Sequence, residues 1–166
     1  MLSEVYLSLG SNLNCKIGNI RKGVDLLSQV SDGILVSSIY ETTPKGFVSQ
    51  PSFLNAVCKI WTHLDPYQLM DALICIETSL GYQRPFINSP RILDIDILLF
   101  GDLVFTSSRL TIPHPAMVHR GFVLIPLVEI APTAIHPELN EFASTLLDRL
   151  EISEFNEVRC LVRRLD

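Results

Sequence analysis

An α+β domain of split-βαβ, ferredoxin-like type is predicted by three observations. Four short runs rich in β-branched and large apolar residues, Glu4 to Leu9, Ile34 to Tyr40, Phe53 to Thr62 and Leu93 to Phe100, read as strands. Two stretches with apolar residues at three- and four-residue spacing fall between the first and second runs and between the third and fourth. Glycine or a Ser-Asp-Gly turn closes each stretch. The resulting order β-α-β-β-α-β calls for an antiparallel-rich sheet with helices packed on one face. At 166 residues the chain suffices for one layered domain, residues 1–166, that buries roughly 70% of its unfolded surface.

Each element has a local cause. The first strand ends at Gly10-Ser11-Asn12, a turn that suits the start of a helix. Ile17, Ile20, Val24, Leu27 and Val30 then form an apolar stripe that stops at Ser31-Asp32-Gly33. After the second strand, the polar loop Thr42 to Ser52 leads to the third. Asp65-Pro66 supplies an N-cap and a first-turn proline for a second helix, which turns Leu69, Leu73, Ile76 and Leu80 inward and ends at Gly81, a C′ glycine. The loop carrying Arg84, Pro85 and Pro90 delivers the chain to the fourth strand. Beyond Gly101-Asp102 come a short strand, the Pro113-His114-Pro115 corner, helices over Gly121 to Ala131 and Asn140 to Leu150, and a last short strand at Val158 to Val162.

Composition excludes several classes. The formal charge of −5 gives no basic field for nucleic acid, so any anion site is local, near Arg84, Arg91, Arg109 or Arg120. The longest apolar runs are too short to span a membrane, despite a mean hydropathy of +0.32, and the first residues lack the basic-then-apolar pattern of an export signal. Cys15, Cys58, Cys75 and Cys160 are widely spaced, form no C-x-x-C or zinc-finger pattern and read as reduced thiols of a cytoplasmic protein.

The fourth strand carries the sharpest functional signal. In Leu93-Asp94-Ile95-Asp96-Ile97-Leu98-Leu99-Phe100, period-2 alternation places both aspartates on one face and Leu93, Ile95, Ile97 and Leu99 on the other. Two carboxylates roughly 6 to 7 Å apart along the backbone repel each other. A hard divalent cation relieves that repulsion, and Mg²⁺ is commonly held by one or two carboxylates plus substrate phosphates. A solvated edge strand would present the same pair. No G-x-x-x-x-G-K-[ST] or G-x-G-x-x-G occurs, so a P-loop or Rossmann cradle is excluded, and the absence of G-x-S-x-G and H-E-x-x-H weakens the hydrolase and zinc-protease readings. What remains is a site of metal and arginine, in which guanidinium groups neutralise a phosphoryl group in flight. Arg91 lies three residues before Asp94; Arg109, Thr111, His114 and Arg120 flank the Pro-His-Pro corner. Phe53 and Phe122 are either core residues or the two sides of a stacking site for a flat ring, with Asn55 on the strand face of Phe53 to read the ring edge.

Taken together, five blocks resemble one family. Ser8-Leu9-Gly10-Ser11-Asn12, Tyr40-Glu41-Thr42, Gln50-Pro51-x-Phe53-Leu54-Asn55, Pro90-Arg91-x-x-Asp94-x-Asp96-Ile97-Leu98-Leu99-Phe100-Gly101, and Arg109-Leu110-Thr111-Ile112-Pro113-His114-Pro115 with Arg120-Gly121-Phe122 are similar, in order from about residue 4 to 140, to the 6-hydroxymethyl-7,8-dihydropterin pyrophosphokinases of folate biosynthesis. The resemblance implies transfer of pyrophosphate from ATP to the pterin hydroxymethyl group, releasing AMP. It implies that Asp94 and Asp96 bind two Mg²⁺ ions that hold the triphosphate and help activate the pterin hydroxyl, which makes Asp96 a catalytic residue, and that Arg91 stabilises the transferring group, with Arg84 the catalytic substitute for an arginine missing from the lid. Phe53 and Phe122 would sandwich the pterin, with Thr42, Thr43, Lys45 and Asn55 along its edge. Glu77, Arg84, Arg91, Ile97, Arg109, Thr111, His114 and Arg120 would line the ATP side, and Gly81 to Ser89 would form a closing lid. The expected partners are these two small molecules, with no nucleic acid or membrane, and a monomer is the expected state.

Departures from the family pattern concentrate in the lid. Tyr82 stands where an arginine usually follows the helix-ending glycine, and Asn88-Ser89 replace an aromatic-glycine pair, which makes Arg84 the substitute arginine. Thr43 and Lys45 replace residues that are more often Pro and Leu. A pterin- or ATP-binding module without turnover, and a metal-dependent phosphohydrolase, are the competing readings; the paired aromatics do not fit the second.

Overall fold

The computed structural model describes residues 1–44, 50–81 and 89–163. The chain runs β1 (Ser3–Ser11), α1 (Lys16–Leu27), β2 (Gly33–Val36), β3 (Ile39–Thr42), β4 (Phe53–Thr62), α2 (Pro66–Ser79) and β5 (Asp94–Phe100). There follow β6 (Phe105–Thr106), β7 (Thr111–Ile112), a 3-10 turn at Met117–His119, α3 (Gly121–Ile130), β8 (Ile135–His136), β9 (Glu141–Phe142), α4 (Ala143–Asp148), α5 (Ile152–Asn156) and β10 (Val158–Val162). The main sheet has the order β10-β3-β4-β1-β5, with β2 also paired to β4, and every pairing is antiparallel. The first five strands and two helices thus form the expected split-βαβ unit. The second predicted strand is interrupted at Ser37 and Ser38, where the Ser37 hydroxyl, in place of its carbonyl, accepts the Val57 N–H while the Ser37 N–H still donates to the Val57 carbonyl at 2.9 Å.

Helix α2 begins as its sequence predicts. Asp65 accepts the N–H groups of Tyr67 and Gln68 at 2.9 Å, while the Gln68 side chain accepts the Asp65 N–H at 3.0 Å, a reciprocal capping box followed by Pro66. Leu69, Leu73 and Ile76 are buried, and the helix stops at Gly81 with φ +93°, a conformation that only glycine adopts without strain.

The expectation of helices on one face alone is corrected. Val5, Leu7, Leu9, Leu54, Ala56, Cys58, Ile60, Ile95 and Ile97 of the sheet close a core with Ile20 and Leu27 of α1 and Leu69, Leu73 and Ile76 of α2. The opposite face is covered too, because Tyr6, Val57, Leu98 and Leu99 pack against Val123, Leu124 and Leu127 of α3 and Ala143 and Leu146 of α4. The placement of Leu99 with Leu93, Ile95 and Ile97 fails for a related reason. Leu7 pairs with Ile97 but Tyr6 pairs with Leu99, so Leu98 is an extra, bulged residue, and Leu98 and Leu99 both turn to the α3 side. A helix from residue 140 to 150 is also too long: Glu141 and Phe142 pair with β8 first, and α4 is only six residues. Among the described residues no helix is long and apolar enough to cross a membrane.

Candidate active site

The register of the sheet assembles the site. Directly paired residues in a sheet share a face, and the pairs Tyr40 with Asn55, Asn55 with Gly10, and Gly10 with Asp94 run straight across β3, β4, β1 and β5. Thr42 pairs with Phe53, and Ser8 pairs with both Val57 and Asp96. Thr42, Phe53, Asn55 and both aspartates therefore lie on the α3 side of the sheet. They occupy the end beyond Val57 and Tyr6, where the apolar cluster stops.

At the β3–β4 end, Asn55 is buried and its Nδ2 donates to Thr42 Oγ1 at 2.8 Å. This bond leaves Asn55 Oδ1 as an acceptor and the Thr42 hydroxyl proton as a donor, side by side. Gly10 keeps the floor open beside them: a Cβ there would stand 3.4 Å from Asn55 Oδ1 and 3.9 Å from the Phe53 ring. Thr43 is exposed. Lys45 lies outside the described residues.

At the β5 end, Arg91 Nη1 donates to Asp94 Oδ2 at 2.8 Å, with both side chains largely covered. The same guanidinium lies 5.4 Å from the centroid of the Phe53 ring, so Arg91 spans the ring-binding and carboxylate halves. Its Nε is buried and has no hydrogen-bond partner among the described residues, a donor left over in a site read as anion-binding. Asp96 is more open, its side chain 43% exposed, with His114 Nε2 at 4.0 Å from Oδ2.

His114 owes its position to the bulge. The Leu98 carbonyl, displaced from the regular ladder, accepts the His114 N–H at 2.9 Å and fixes the Pro-His-Pro corner beside β5. His114 Nδ1 accepts the Ala116 N–H, which leaves the proton on Nε2, toward Asp96. Burial pulls its pKa below the ordinary histidine value; Asp96 opposes that shift and Arg120 adds to it. Arg120 in turn lies over the Phe122 ring at 5.6 Å. One connected set thus contains Thr42, Phe53, Asn55, Arg91, Asp94, Asp96, His114, Arg120 and Phe122.

Other predicted residues stand apart. Arg109 pairs with Asp71 on the exposed side of α2 at 2.8 Å and lies over the Tyr67 ring. Glu77 is buried, and its Oε1 accepts the Ile95 N–H at 2.6 Å, tying α2 to the edge strand β5. The Ile97 side chain belongs to the α1–α2 core, so only its backbone is available to a ligand. Thr111 sits half-buried on β7. Arg84 and Tyr82, with most of the lid, lie outside the described residues.

Asn12 is the residue that sequence reasoning passed over. It is buried, exchanges hydrogen bonds with the Arg91 backbone in both directions, and its Nδ2 donates to Gln50 Oε1 at 2.8 Å and to the Pro51 carbonyl at 3.3 Å. It ties the approach to β5 to the approach to β4. Its place at the end of the Ser8-to-Asn12 block was the available signal, but an Asn after Gly-Ser reads as a turn residue.

The chain matches the family described as 7,8-dihydro-6-hydroxymethylpterin-pyrophosphokinase (HPPK) over residues 6–132. The 2-amino-4-hydroxy-6-hydroxymethyldihydropteridine pyrophosphokinase of Haemophilus influenzae is 43% identical over 134 residues, 80% of this chain and 84% of that protein. The folic acid synthesis protein fol1 of Schizosaccharomyces pombe is 40% identical over 148 residues, 87% of this chain but 20% of that protein. The chain thus spans about a fifth of the length of the folic acid synthesis proteins it matches. The HPPK-DHPS of Plasmodium falciparum crystallised with pteroate shares the fold, with a TM-score of 0.72 at 17% identity over 90% of this chain and 42% of that one. With the family match covering most of the sequence and the full set of blocks in order, this chain belongs to the 7,8-dihydro-6-hydroxymethylpterin-pyrophosphokinase family.

Proposed function

We propose that this protein transfers the pyrophosphoryl group of ATP to the hydroxymethyl oxygen of 6-hydroxymethyl-7,8-dihydropterin. The new bond joins that oxygen to the β-phosphorus, the bond from the β-phosphorus to the α-bridging oxygen breaks, the hydroxyl proton is lost and AMP leaves. The observation that carries this reading is the position of Arg91, in contact with the ring of Phe53 on one side and with Asp94 on the other. A flat ring held beside Phe53 would have its substituent delivered to the carboxylate end of the same sheet face.

Within this reading, Phe53 and Phe122 hold the pterin, while Asn55 Oδ1 accepts from its amide edge and the Thr42 hydroxyl donates. Arg91 exchanges its bond with Asp94 for the phosphoryl oxygens, for which its unpartnered Nε is a ready second donor. The two carboxylates fit a hard cation, being oxygen donors on one strand face with Asp96 accessible. Asp94 and Asp96 would hold two Mg²⁺ ions, whose chemistry when bound is to neutralise and align the triphosphate. His114 and Arg120, on the far side of Asp96, present further donors to ATP phosphates, and Arg84 is proposed to supply the lid arginine. The four cysteines are free thiols, in keeping with a cytoplasmic protein.

The test is AMP release from MgATP with and without the pterin, for wild type and Asp96→Ala. Wild type is expected to release AMP only with pterin present, and the folded variant to lose at least ~10²-fold in turnover, the scale of a lost transition-state charge stabiliser. Pterin-independent phosphate release would establish hydrolysis instead, and near-normal turnover in folded Asp96→Ala would remove the proposed role of the carboxylates.

A further inference from the structure

The family match ends at residue 132, yet the chain continues into α5 and β10. These elements do little for the core, since α5 has no buried residue and β10 is mostly exposed. Val162, at one end of β10, packs against the edge of the α1–α2 core, while the other end lies at the candidate pterin pocket. β10 pairs with β3 so that Val158 stands opposite Thr42. α5 lies against the start of α3, where Glu154 Oε2 accepts the Gly121 N–H at 3.2 Å. Gly121 lies close to both elements. A Cβ there would collide with the Glu154 carbonyl oxygen and stand 3.3 Å from Val158 Cγ2.

The first turn of α3 needs such a hold. Its N-cap residue, Arg120, provides no side-chain cap, so the opening N–H groups depend on other partners. Pro126 has no N–H to give to the Phe122 carbonyl, which weakens the same turn from the other side. A carboxylate at the N-terminus both accepts a bond and complements the helix dipole. The residue that follows Gly121 is Phe122, one jaw of the pterin site; the residue opposite Val158 is Thr42, which belongs to the other.

We propose that residues 151–162 form a strap that sets the spacing of the pterin pocket, with Glu154 as a positioning residue that fixes Phe122 relative to Thr42 and Asn55. The proposal rests on the pterin reading of the site. The Arg120 backbone is held separately by the Met117 carbonyl, so the ATP side is less dependent on the strap.

The experiment compares full-length wild type, Glu154→Ala, Glu154→Gln and Gly121→Ala by pterin fluorescence titration and by steady-state KM for pterin and for ATP, with thermal unfolding as a control. Glu154→Ala is expected to weaken pterin binding about fivefold, the scale of a lost helix N-cap, with KM for ATP within about twofold of wild type. Glu154→Gln, which keeps an accepting oxygen, should recover most of the loss, and Gly121→Ala should act in the same direction as Glu154→Ala by displacing α5. Unchanged pterin affinity in folded Glu154→Ala, or equal losses for pterin and ATP, would overturn the strap while leaving the pyrophosphokinase reading intact. Absence of pterin binding by wild type would overturn both.

Discussion

Leu7 and Ser8 are neighbours on β1, yet they belong to different worlds. Leu7 points into the closed α1–α2 core with Val5, Leu9 and Ile97, fully buried. Ser8 points to the other face, opposite Asp96, in a row that begins apolar at Tyr6, Val57 and Leu99 and turns polar at Gly10, Asn55 and Asp94. The first face is sealed from end to end. The second is apolar where α3 and α4 pack and polar past that point, with Ser8, Thr42 and Asn55 buried and Asp96 open. Fold and function are thus divided less between elements than between the two sides, and then the two ends, of the same strands.

That division can be broken from either side. Leu7→Ala should cost about 2–5 kcal/mol of folding stability, measurable by denaturant titration, while the activity per folded molecule stays near wild type. A large loss of turnover in the folded fraction would show that the two faces are coupled. The aspartates sharpen the contrast within the polar row. Asp94 bonds the largely covered Arg91, whereas Asp96 is open. Asp94→Ala is therefore expected to lower stability by about 1.5–3 kcal/mol, the worth of a hydrogen bond to a charged group, and Asp96→Ala by no more than about 0.5 kcal/mol. Equal stabilities would mean that the Arg91 bond contributes nothing to the folded state. Phe122→Ala, at the rim where α3 meets the site, should weaken pterin binding by about 1–3 kcal/mol with little effect on ATP. An unchanged pterin Kd would exclude the two-ring sandwich.

Much of this arrangement was legible in the sequence because it rests on local rules. The Asp65 N-cap with Pro66, the Gly81 stop and the span of β4 follow from residues within a few positions of one another. The shared face of Asp94 and Asp96 follows from period 2 and survives because the bulge lies after them. What was not legible depends on partners far along the chain. The bulge at Leu98 is fixed by pairing with Tyr6 and Leu7, and it reverses Leu99 while placing His114. The use of Glu77 as an acceptor for Ile95, and of Asn12 as a tie between two loop ends, likewise requires contacts across 18 and 79 residues. Lys45 and Arg84, read from the resemblance, lie outside the described residues.

The smallest effect concerns the apolar end of the second face, where the β8–β9 hairpin closes over α4. His136 is buried there, and its Nδ1 accepts the Leu139 N–H at 3.3 Å. Burial lowers its pKa from the ordinary value of 6.5, and the nearby Glu138 and Glu141 only partly oppose that shift. The unfolded chain, in which His136 titrates normally, therefore binds its proton first as pH falls. Stability from this residue is complete above about pH 6.5 and declines as pH drops from there through the lower folded value, with a slope of at most one proton, about 1.4 kcal/mol per pH unit. His136→Asn retains an accepting oxygen for Leu139 without the titration, so its stability should fall less steeply between about pH 6.5 and 5. His114, whose pKa is lowered in the same direction, keeps a residual slope in both proteins. Identical slopes for variant and wild type would mean that the hairpin admits the proton as readily as water does, and that this end of the face is less tightly sealed than its packing indicates.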